Sequence, residues 1–478
     1  MTTPYWVAGR PATGTEPLEV RSPWDGARAG RTTLATPADV EAAVAAAAAA
    51  RPACAALPAA ARAAALDAVS RQLAERAEEV AALITAESGK PLKWARLEVT
   101  RAVSTFRWGA EEARRWSGTL QRLDTDPAAT GRLALVRRAP RGPVLGIAPF
   151  NFPLNLVAHK VAPAIAAGAP IVLKPAPATP LSALLLGELL AGTDLPAGAW
   201  SVLPTTNEVA AGLVGDPRLP VVSFTGSVPV GWSIRESAPR KHVTLELGGN
   251  AAVVVGPDQG DEKSLGWAAS RIATFAMYQG GQSCISVQRV YAHRDVAGAL
   301  TERVVAAVRV LGTGDPADPA TDVGPLVDEQ AARRVESWVD EAVAAGATVL
   351  TGGTRDGATY APTVLTGVPS TARVSCEEVF GPVVVLEAVD SLDEAFARVN
   401  DSRFGLQAGV FTRDLQVAFR AAQVLDVGGV VIGDVPSFRA DQVPYGGVKD
   451  SGTGREGVRA AMEDLTEERV LVLTGIDL

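Results

Sequence analysis

Cysteine is scarce in this sequence, with three residues among 478, and histidine is equally rare. Cys54, Cys284 and Cys376 are odd in number, and their spacings match no disulfide, redox or zinc framework. The three histidines form no His-x-x-x-His pair, and no carboxylate or thiol cluster completes a metal site. The sequence therefore predicts no structural disulfide and no bound metal, and its thiols favour a reducing compartment, the cytoplasm.

Positive charge is not in excess either. Lys and Arg number 45 against 53 Asp and Glu, a net charge of −8 that argues against a nucleic-acid partner. Residues 1–10 have no basic flank leading into a leucine-rich segment, so we expect no signal peptide. The least charged stretch, residues 142–173, carries five prolines together with His159 and Lys160. It is therefore expected to form buried strands and turns, and we predict no membrane partner.

The remaining composition is that of a folded protein with two or three domains. Hydrophobic residues make up 47% and charged residues 21%, while 46 Gly and 33 Pro indicate many tight turns. From Pro37 to about Trp116 the chain is rich in alanine, and its apolar residues recur every three or four positions. This spacing predicts amphipathic helices.

Beyond Leu133, short runs of β-branched residues alternate with helical stretches, which predicts an α/β fold with parallel sheets. The pattern restarts after Gly260, so we expect two α/β domains. Predicted strands are 144–147, 171–173, 221–224, 243–247, 253–255, 287–291, 383–386 and 430–432. Predicted helices of the second domain are 262–278 and 301–310.

Two segments are candidate phosphate sites. Residues 452–457 match the formal Gly-x-Gly-x-x-Gly fingerprint, but the turn-like residues 444–450 stand where a strand is required, so we expect only a loop that enters a helix. In residues 221–231 a strand ends at Gly226 and an apolar helix follows at once, and helix N-termini attract anions. The alternative there is an ordinary turn capped by Ser227.

Three polar residues interrupt apolar or glycine-rich surroundings. Cys284 lies in a glycine-rich turn that could present a thiolate, although a lone cysteine is also a small buried hydrophobe. Glu246 places a carboxylate in a strand-like apolar run, where a charge must be paired or functional. Asn151 lies in a proline-bounded turn and is equally compatible with an Asx turn.

Six motifs in order extend these observations along nearly the whole chain. They are Pro149-Phe150-Asn151-Phe152-Pro153, Val172-Leu173-Lys174-Pro175-Ala176, Phe224-Thr225-Gly226-Ser227, Glu246-Leu247-Gly248-Gly249, Gly281-Gln282-Ser283-Cys284 and Glu378-Val379-Phe380-Gly381-Pro382. In this set the sequence resembles the NAD(P)-dependent aldehyde dehydrogenase superfamily. The resemblance implies an α/β, aldehyde dehydrogenase-like fold with a Rossmann-type cofactor-binding domain (1–121 and 141–252) and an α/β catalytic domain (253–450). It also implies a small β oligomerisation extension with the C-terminal tail (122–140 and 451–478), which joins homodimers or homotetramers.

The resemblance also implies a role for each motif residue. Cys284 would be the nucleophile, Asn151 and the Cys284 N–H would hold the oxyanion, and Glu246 would activate water. The cofactor, NAD or NADP, would contact Lys174 at the adenosine ribose, Gly226 and Ser227 at the pyrophosphate, and Glu378 at the nicotinamide ribose. Further expected cofactor contacts are Ile147, Phe150, Ala176, Pro177, Phe224, Val230, Leu247 and Phe380. Expected substrate contacts are Phe152, His159, Ser283 and Arg439, for a small polar aldehyde such as lactaldehyde or a semialdehyde.

One position departs from the family pattern. Many members that use NAD carry a carboxylate three residues after the ribose lysine, where this sequence has Pro177. The sequence therefore predicts that NADP is accepted. Two alternatives to the main hypothesis are a CoA-acylating aldehyde dehydrogenase, which generally lacks the glutamate base, and an inactive structural or binding homologue. Glu246 argues against the first alternative, and the joint presence of Asn151, Glu246, Cys284 and Glu378 argues against the second.

Overall fold

The computed structural model describes residues 2–475. In this range the helices are α1 (Pro37–Ala56), α2 (Ala59–Glu75), α3 (Ala77–Ser88), α4 (Leu92–Arg115), α5 (Asn155–Ala167), α6 (Leu181–Ala191), α7 (Asn207–Gly215), α8 (Val228–Ser237), α9 (Glu262–Met277), α10 (Arg294–Arg309), α11 (Glu329–Ala344), α12 (Arg373–Cys376), α13 (Leu392–Asn400), α14 (Leu415–Val424) and α15 (Val458–Asp464).

The strands are β1 (Tyr5–Val7), β2 (Arg10–Ala12), β3 (Pro17–Arg21), β4 (Arg28–Thr33), β5 (Thr119–Arg122), β6 (Arg132–Pro140), β7 (Val144–Ile147), β8 (Ile171–Lys174), β9 (Trp200–Val202), β10 (Val221–Thr225), β11 (His242–Glu246), β12 (Ala252–Val255), β13 (Arg289–His293), β14 (Thr348–Thr351), β15 (Arg355–Asp356), β16 (Thr359–Tyr360), β17 (Thr363–Thr366), β18 (Val383–Val389), β19 (Phe404–Gly405), β20 (Gln407–Phe411), β21 (Gly429–Ile432), β22 (Val448–Lys449), β23 (Gly452–Thr453) and β24 (Thr466–Thr474).

The alanine-rich segment forms the four helices α1–α4, as its periodicity predicts. Thr36 caps α1 by accepting a hydrogen bond from the backbone N–H of Asp39, and proline at the first helical position suits the start of α1. Leu66, Val69 and Leu73 recur on one face of α2 and are fully buried in the core. Alanine elsewhere lets these helices pack closely against one another.

The first sheet has the strand order β2-β1-β9-β8-β7-β10-β11-β23. Its five central strands, from β9 to β11, are parallel, and antiparallel strands lie at both edges. Helix α5 is buried along its whole length. The parallel strands beneath it are buried on both faces, and their sequences are therefore continuous apolar runs. The carboxyl ends of β7, β8, β10 and β11 lie side by side at one edge, which is where ligands bind in open α/β sheets.

The second sheet has the order β14-β17-β18-β13-β12-β20-β21, and all neighbours except β14 and β17 are parallel. The chain reaches it directly, since β12 begins six residues after β11 ends. The segments that precede β13 and β18 carry Cys284 and Glu378, respectively. These two residues therefore come from the amino ends of the second sheet's strands.

A third sheet of three strands, β24-β6-β5, is antiparallel. Its register sets Leu471 opposite Leu135, and Leu135 opposite Leu120. Residues 451–478 are predicted to belong to this extension, of which 476–478 lie outside the described residues. Within the described part, β23 pairs with β11 of the first sheet, and α15 contributes Val458 and Met462 to that sheet's core. The predicted boundary at residue 121 also falls inside β5.

No single helix within residues 2–475 is long and apolar enough to cross a membrane, and only the pair α1 and α2 passes that test jointly, across a 114° bend.

Candidate active site

One cavity of about 990 Å³ connects the carboxyl edge of the first sheet with the segments that precede β13 and β18. Cys284, Glu246 and Asn151 all line it. The twelve expected cofactor contacts line it as well: Ile147, Phe150, Lys174, Ala176, Pro177, Phe224, Gly226, Ser227, Val230, Leu247, Glu378 and Phe380. The structure thus brings to one cavity fifteen residues, of which twelve lie in the six motifs and three (Ile147, Pro177 and Val230) lie within three residues of a motif.

A tight backbone turn presents Cys284. Helix α9 ends at Met277, and the next segment holds Gln279, Gly280 and Gly281 in the left-handed region. A side chain at Gly281 would collide with the carbonyl oxygen of Gly381, so only glycine fits this position. The glycine-rich pattern in the sequence therefore serves a close approach between two backbones.

The Cys284 side chain is half-buried and lies beside a phenol. Its Sγ lies 3.0 Å from the hydroxyl oxygen of Tyr445. Burial raises the pKa of the thiol to about 12, while the hydrogen bond with Tyr445 acts in the opposite direction. The thiol needs hydrogen-bond donors or positive charge before it can ionise at neutral pH.

Asn151 is tied to the same turn. Its side-chain N–H donates to the carbonyl of Gln282 over 3.0 Å, and its own carbonyl accepts from the side chain of Gln279. These two hydrogen bonds span about 130 residues of sequence and fix the amide next to the cysteine segment. An amide so placed is suited to stabilise negative charge that develops at a substrate oxygen near Cys284.

Glu246 is the last residue of β11 and is almost completely buried. Neither of its carboxylate oxygens accepts a hydrogen bond from any of the residues 2–475. Burial, together with the nearby carboxylate of Glu456, raises its pKa well above the usual value. The side chain therefore has a raised basicity and free acceptor capacity for a water molecule.

A buried group of charges lies behind Glu246. The Glu456 carboxylate accepts from Lys160 Nζ over 3.3 Å and from Arg439 Nη2 over 2.9 Å. Burial alone would raise the pKa of Glu456, but Lys160 and Arg439 lower it to about 2. Glu456 therefore stays ionised while the neighbouring Glu246 is biased toward its protonated form.

The other half of the cavity suits a dinucleotide. Lys174 ends β8, and its Nζ donates to Asn207 Oδ1 over 3.2 Å. Ser227 occupies the N-cap position of α8, but its side chain makes no capping hydrogen bond, which contradicts the simple capping alternative. The first N–H groups of α8 thus remain available for phosphate oxygens beside Gly226.

Two helices form the walls beyond Lys174. One face of α7 and one face of α8 line the cavity with small or apolar side chains, which suit contact with an apolar, planar base. The lining residues are Ala210, Ala211 and Val214 on α7, and Val230, Ser233, Ile234 and Ser237 on α8.

Glu378 is held near the cysteine end of the cavity. Its Oε1 accepts a hydrogen bond from the backbone N–H of Gly249 over 3.0 Å, and a side chain at Gly248 would collide with the carboxylate. Burial raises its pKa to about 7. The rings of Phe150 and Phe380 meet edge to face nearby, with centroids 5.9 Å apart. A buried lysine and this carboxylate are each suited to hold a ribose of NAD or NADP, and the free helix N-terminus is suited to hold the phosphates.

Of the four expected substrate contacts, only Arg439 lines the cavity. Its guanidinium stacks over the Tyr445 ring at 3.8 Å and pairs with Glu456, and its side chain is buried. Asp441 contacts His159, whose Nε2 lies 3.2 Å from Oδ1.

His159, Phe152 and Ser283 do not line this cavity. The His159 side chain is fully buried because α5 is covered on every side, and eight residues after Asn151 the helix directs it away from the cavity. Phe152 packs against Tyr278 and beneath the Lys90 ammonium, 4.0 Å from its centroid. Ser283 faces a separate small cleft beside Gly381.

Sequence reasoning missed Tyr445, Glu456 and Asn207 as parts of the site. Tyr445 lies in the turn-like Pro-Tyr-Gly-Gly segment, and Glu456 lies inside the glycine motif that we interpreted as a loop entering a helix. That interpretation is confirmed, since β23 leads into α15, but the loop also delivers Glu456. A charged residue inside a glycine-rich loop was the available signal. No pattern in the sequence marks Asn207 as a residue of the site.

Comparisons with known proteins agree with this arrangement. A family model described as the aldehyde dehydrogenase family matches residues 6–471. A 3-sulfolactaldehyde dehydrogenase of Priestia aryabhattai is 42% identical over 469 residues, which cover 98% of this chain and 97% of that protein.

Two solved structures are similar over the full chain. Aldehyde dehydrogenase 21 of Physcomitrella patens, in complex with the reaction product succinate, superposes with a TM-score of 0.97 at 45% identity, covering 99% of this chain and 98% of that one. The NADP-dependent glyceraldehyde-3-phosphate dehydrogenase of Bacillus halodurans, complexed with NADP, has a TM-score of 0.95 at 34% identity and covers all of both chains. Within residues 2–475, no three His, Cys, Asp or Glu side chains lie together so as to hold a metal ion.

The predicted superfamily, fold class and cofactor class are thereby confirmed: the chain belongs to the aldehyde dehydrogenase family and is an NAD(P)-dependent oxidoreductase of small aldehydes.

Proposed function

We propose that the chain oxidises a small, polar, anionic aldehyde to its carboxylic acid through a covalent intermediate on Cys284. The observation that carries this proposal is the convergence of Cys284, Asn151 and Glu246 at one cavity, whose other half presents Lys174 and Glu378. The role of each group follows from its chemistry.

The Cys284 thiolate attacks the aldehyde carbon, an S–C bond forms, and the carbonyl electron pair moves to oxygen. The second N–H of the Asn151 side chain, which is not used by Gln282, and the Cys284 backbone N–H stabilise that oxyanion. A bound NAD or NADP, which Lys174, Ser227 and Glu378 would hold, would supply the hydride acceptor that turns the former aldehyde carbon into a thioester on Cys284. Glu246 then takes a proton from water as the water attacks the thioester, the S–C bond breaks, and the acid leaves with Cys284 regenerated. The free oxygens of Glu246 support this role.

Arg439 supports an anionic substrate. It is buried, lines the cavity and uses one guanidinium nitrogen for Glu456, while its Nε has no partner among residues 2–475. Guanidinium groups bind carboxylates and sulfonates through paired N–H donors. The Priestia relative is named for 3-sulfolactaldehyde, and the Physcomitrella neighbour was solved with succinate, both of which are anionic.

Cofactor choice toward NADP is a further part of the proposal. Pro177 provides no carboxylate to repel a 2′-phosphate, and Glu208 is exposed and does not line the cavity. Lys174 instead meets the neutral amide of Asn207, which leaves the local charge positive. The Bacillus neighbour was solved with NADP.

A second copy of the chain is the proposed partner. Leu120, Leu135 and Leu471 form a row across the three-stranded sheet and are 60%, 37% and 56% exposed. Exposed leucines aligned on one sheet face are typical of an oligomer interface. We retain the two-domain division with this sheet as the oligomerisation extension, but assign β23 and α15 to the cofactor-binding domain.

The three free cysteines favour a reducing compartment, the cytoplasm.

Product analysis with succinic semialdehyde, with and without CoA, tests the proposed activity. We expect reduction of NAD or NADP with stoichiometric formation of succinate at a rate that does not depend on CoA. Strict dependence on CoA with an acyl-CoA product would favour the CoA-acylating alternative. Cofactor binding without oxidation of any aldehyde would favour the inactive homologue.

A further inference from the structure

We propose that Tyr445 is a catalytic residue whose hydroxyl donates a hydrogen bond to the Cys284 thiolate and stabilises it for attack. The inference rests on the proposed function, because it assumes that Cys284 is the nucleophile. It adds a residue that the motif pattern did not assign to the chemistry.

The first support is the contact itself. The Tyr445 hydroxyl oxygen lies 3.0 Å from Cys284 Sγ, across 161 residues of sequence. Within residues 2–475, Sγ has no other hydrogen-bond partner. A thiolate at this half-buried position therefore depends on this phenol for direct stabilisation by a side chain.

The second support is that the phenol cannot move away. The backbone N–H of Tyr445 donates to Glu456 over 2.9 Å, and the backbone N–H of Glu456 donates back over 2.7 Å. The ring packs with Ile285 and Leu406 on one side, and the Arg439 guanidinium lies 3.8 Å from its centroid. Arg439 is itself fixed by Glu456. The ring is held between an apolar contact and a cation.

The direction of the hydrogen bond follows from the relative acidities. Burial raises the pKa of the Tyr445 phenol well above its ordinary value, which already exceeds that of a thiol. The proton that leaves the pair is thus the thiol proton, and the phenol keeps its own. The Arg439 cation over the ring draws electron density from the hydroxyl oxygen into the ring, which makes the O–H a stronger hydrogen-bond donor.

Tyr445 stabilises the sulfur without transferring a proton. Its hydroxyl donates a hydrogen bond to the sulfur anion while the anion exists, and this hydrogen bond weakens once the S–C bond has neutralised the sulfur. When the thioester is hydrolysed and sulfur leaves as an anion, the same hydroxyl stabilises it again. Tyr445 therefore acts on both the nucleophile and the leaving group.

Tyr445→Phe tests the proposal because it retains the ring and removes only the hydroxyl. The readout is the pH dependence of Cys284 alkylation by iodoacetamide in the full-length protein, with the alkylated residue located by peptide mass spectrometry. A hydrogen bond to a charged group predicts a midpoint about one to two pH units higher in the variant. The limiting rate at high pH should not fall, because a less stabilised thiolate is more nucleophilic.

Tyr360→Phe is the matched control, since Tyr360 is also buried but packs in the core beside the second sheet. Its midpoint should equal that of the wild type. A Tyr445→Phe midpoint within about 0.3 units of wild type, or a lower limiting rate at an unchanged midpoint, would overturn the inference and leave Tyr445 with a structural role.

A second measurement changes the phenol without removing it. Incorporation of 3-fluorotyrosine at all five tyrosines makes each phenol more acidic and a stronger donor. The alkylation midpoint should fall in the wild-type background and stay constant in Tyr445→Phe. Equal shifts in both backgrounds would overturn the inference. Cys284→Ala separates this failure from failure of the proposed function, because a Cys284→Ala variant that still oxidises the aldehyde would refute the nucleophile itself.

Discussion

Cofactor choice gives the most quantitative prediction, through Pro177→Glu. Pro177 lines the cavity three residues beyond Lys174 and is exposed, so a carboxylate there would be partly screened. Two like unit charges about 5 Å apart repel by about 3 kcal/mol at an effective dielectric constant of 20 and by about 0.8 kcal/mol in bulk water. We therefore expect NADP to bind about 5- to 200-fold more weakly in the variant. A new hydrogen bond from the 2′-hydroxyl should strengthen NAD binding by about fivefold.

Calorimetric titration of each nucleotide, in parallel with kcat/KM for both cofactors, measures this change. The ratio of NADP to NAD affinity should fall by about 25- to 1,000-fold in Pro177→Glu, and by less than about fivefold in the neutral control Pro177→Gln. Added salt should shrink the effect, since the position is exposed. A wild-type enzyme that already favours NAD by more than about 100-fold, or an unchanged ratio in Pro177→Glu, would refute the reasoning.

Three further predictions follow from other parts of the molecule. The pKa of Glu246 is raised, so the folded state binds its proton more tightly than the unfolded state, and the free energy of unfolding falls as pH rises above 4.5. Glu246→Gln should therefore melt at a higher temperature than wild type at pH 8, and the difference in melting temperature should narrow toward pH 4.5. A difference that does not depend on pH would contradict this prediction. Arg439→Lys keeps a cation for Glu456 but loses the planar donor pair, so kcat/KM should fall about 10- to 100-fold for succinic semialdehyde and by less than about threefold for propanal, and equal losses for both would count against anion recognition. Leu471→Glu should reduce the oligomer mass measured by light scattering, whereas Val310→Glu, at another exposed position, should not; an unchanged oligomer in Leu471→Glu would place the interface elsewhere.

The parallel strands were predictable because they are buried on both faces. Residues 144–147 form β7 with the bounds that the sequence predicts, and the other predicted strands shift by three residues or fewer at each end. Helix α10 is the clearest difference, since it begins at Arg294 instead of near residue 301. The side chain of His293 caps it by accepting from the backbone N–H of Asp295, and histidine is not a residue from which a cap is expected.

The site was predictable where each functional residue directly follows or precedes a strand within a short motif. Glu246 and Lys174 end their strands, and Cys284 lies in a turn whose glycines mark it. His159 was misplaced because spacing from Asn151 gives a helical position but not the direction in which a fully buried helix presents it. Tyr445 was missed because its contact with Cys284 joins segments 161 residues apart, and no local pattern encodes it.

Detection of an acyl group on Cys284 is the direct test of covalent catalysis by this residue. Glu246→Gln removes the carboxylate that we propose activates water, so we expect a rapid burst of NAD(P)H close to one equivalent per site. A slow steady state should follow, with a mass adduct of one acyl group on the peptide that contains Cys284. Cys284→Ala should show neither burst nor adduct while it still binds the cofactor. A Glu246→Gln variant that turns over at the wild-type steady-state rate without an adduct on Cys284 would contradict the account.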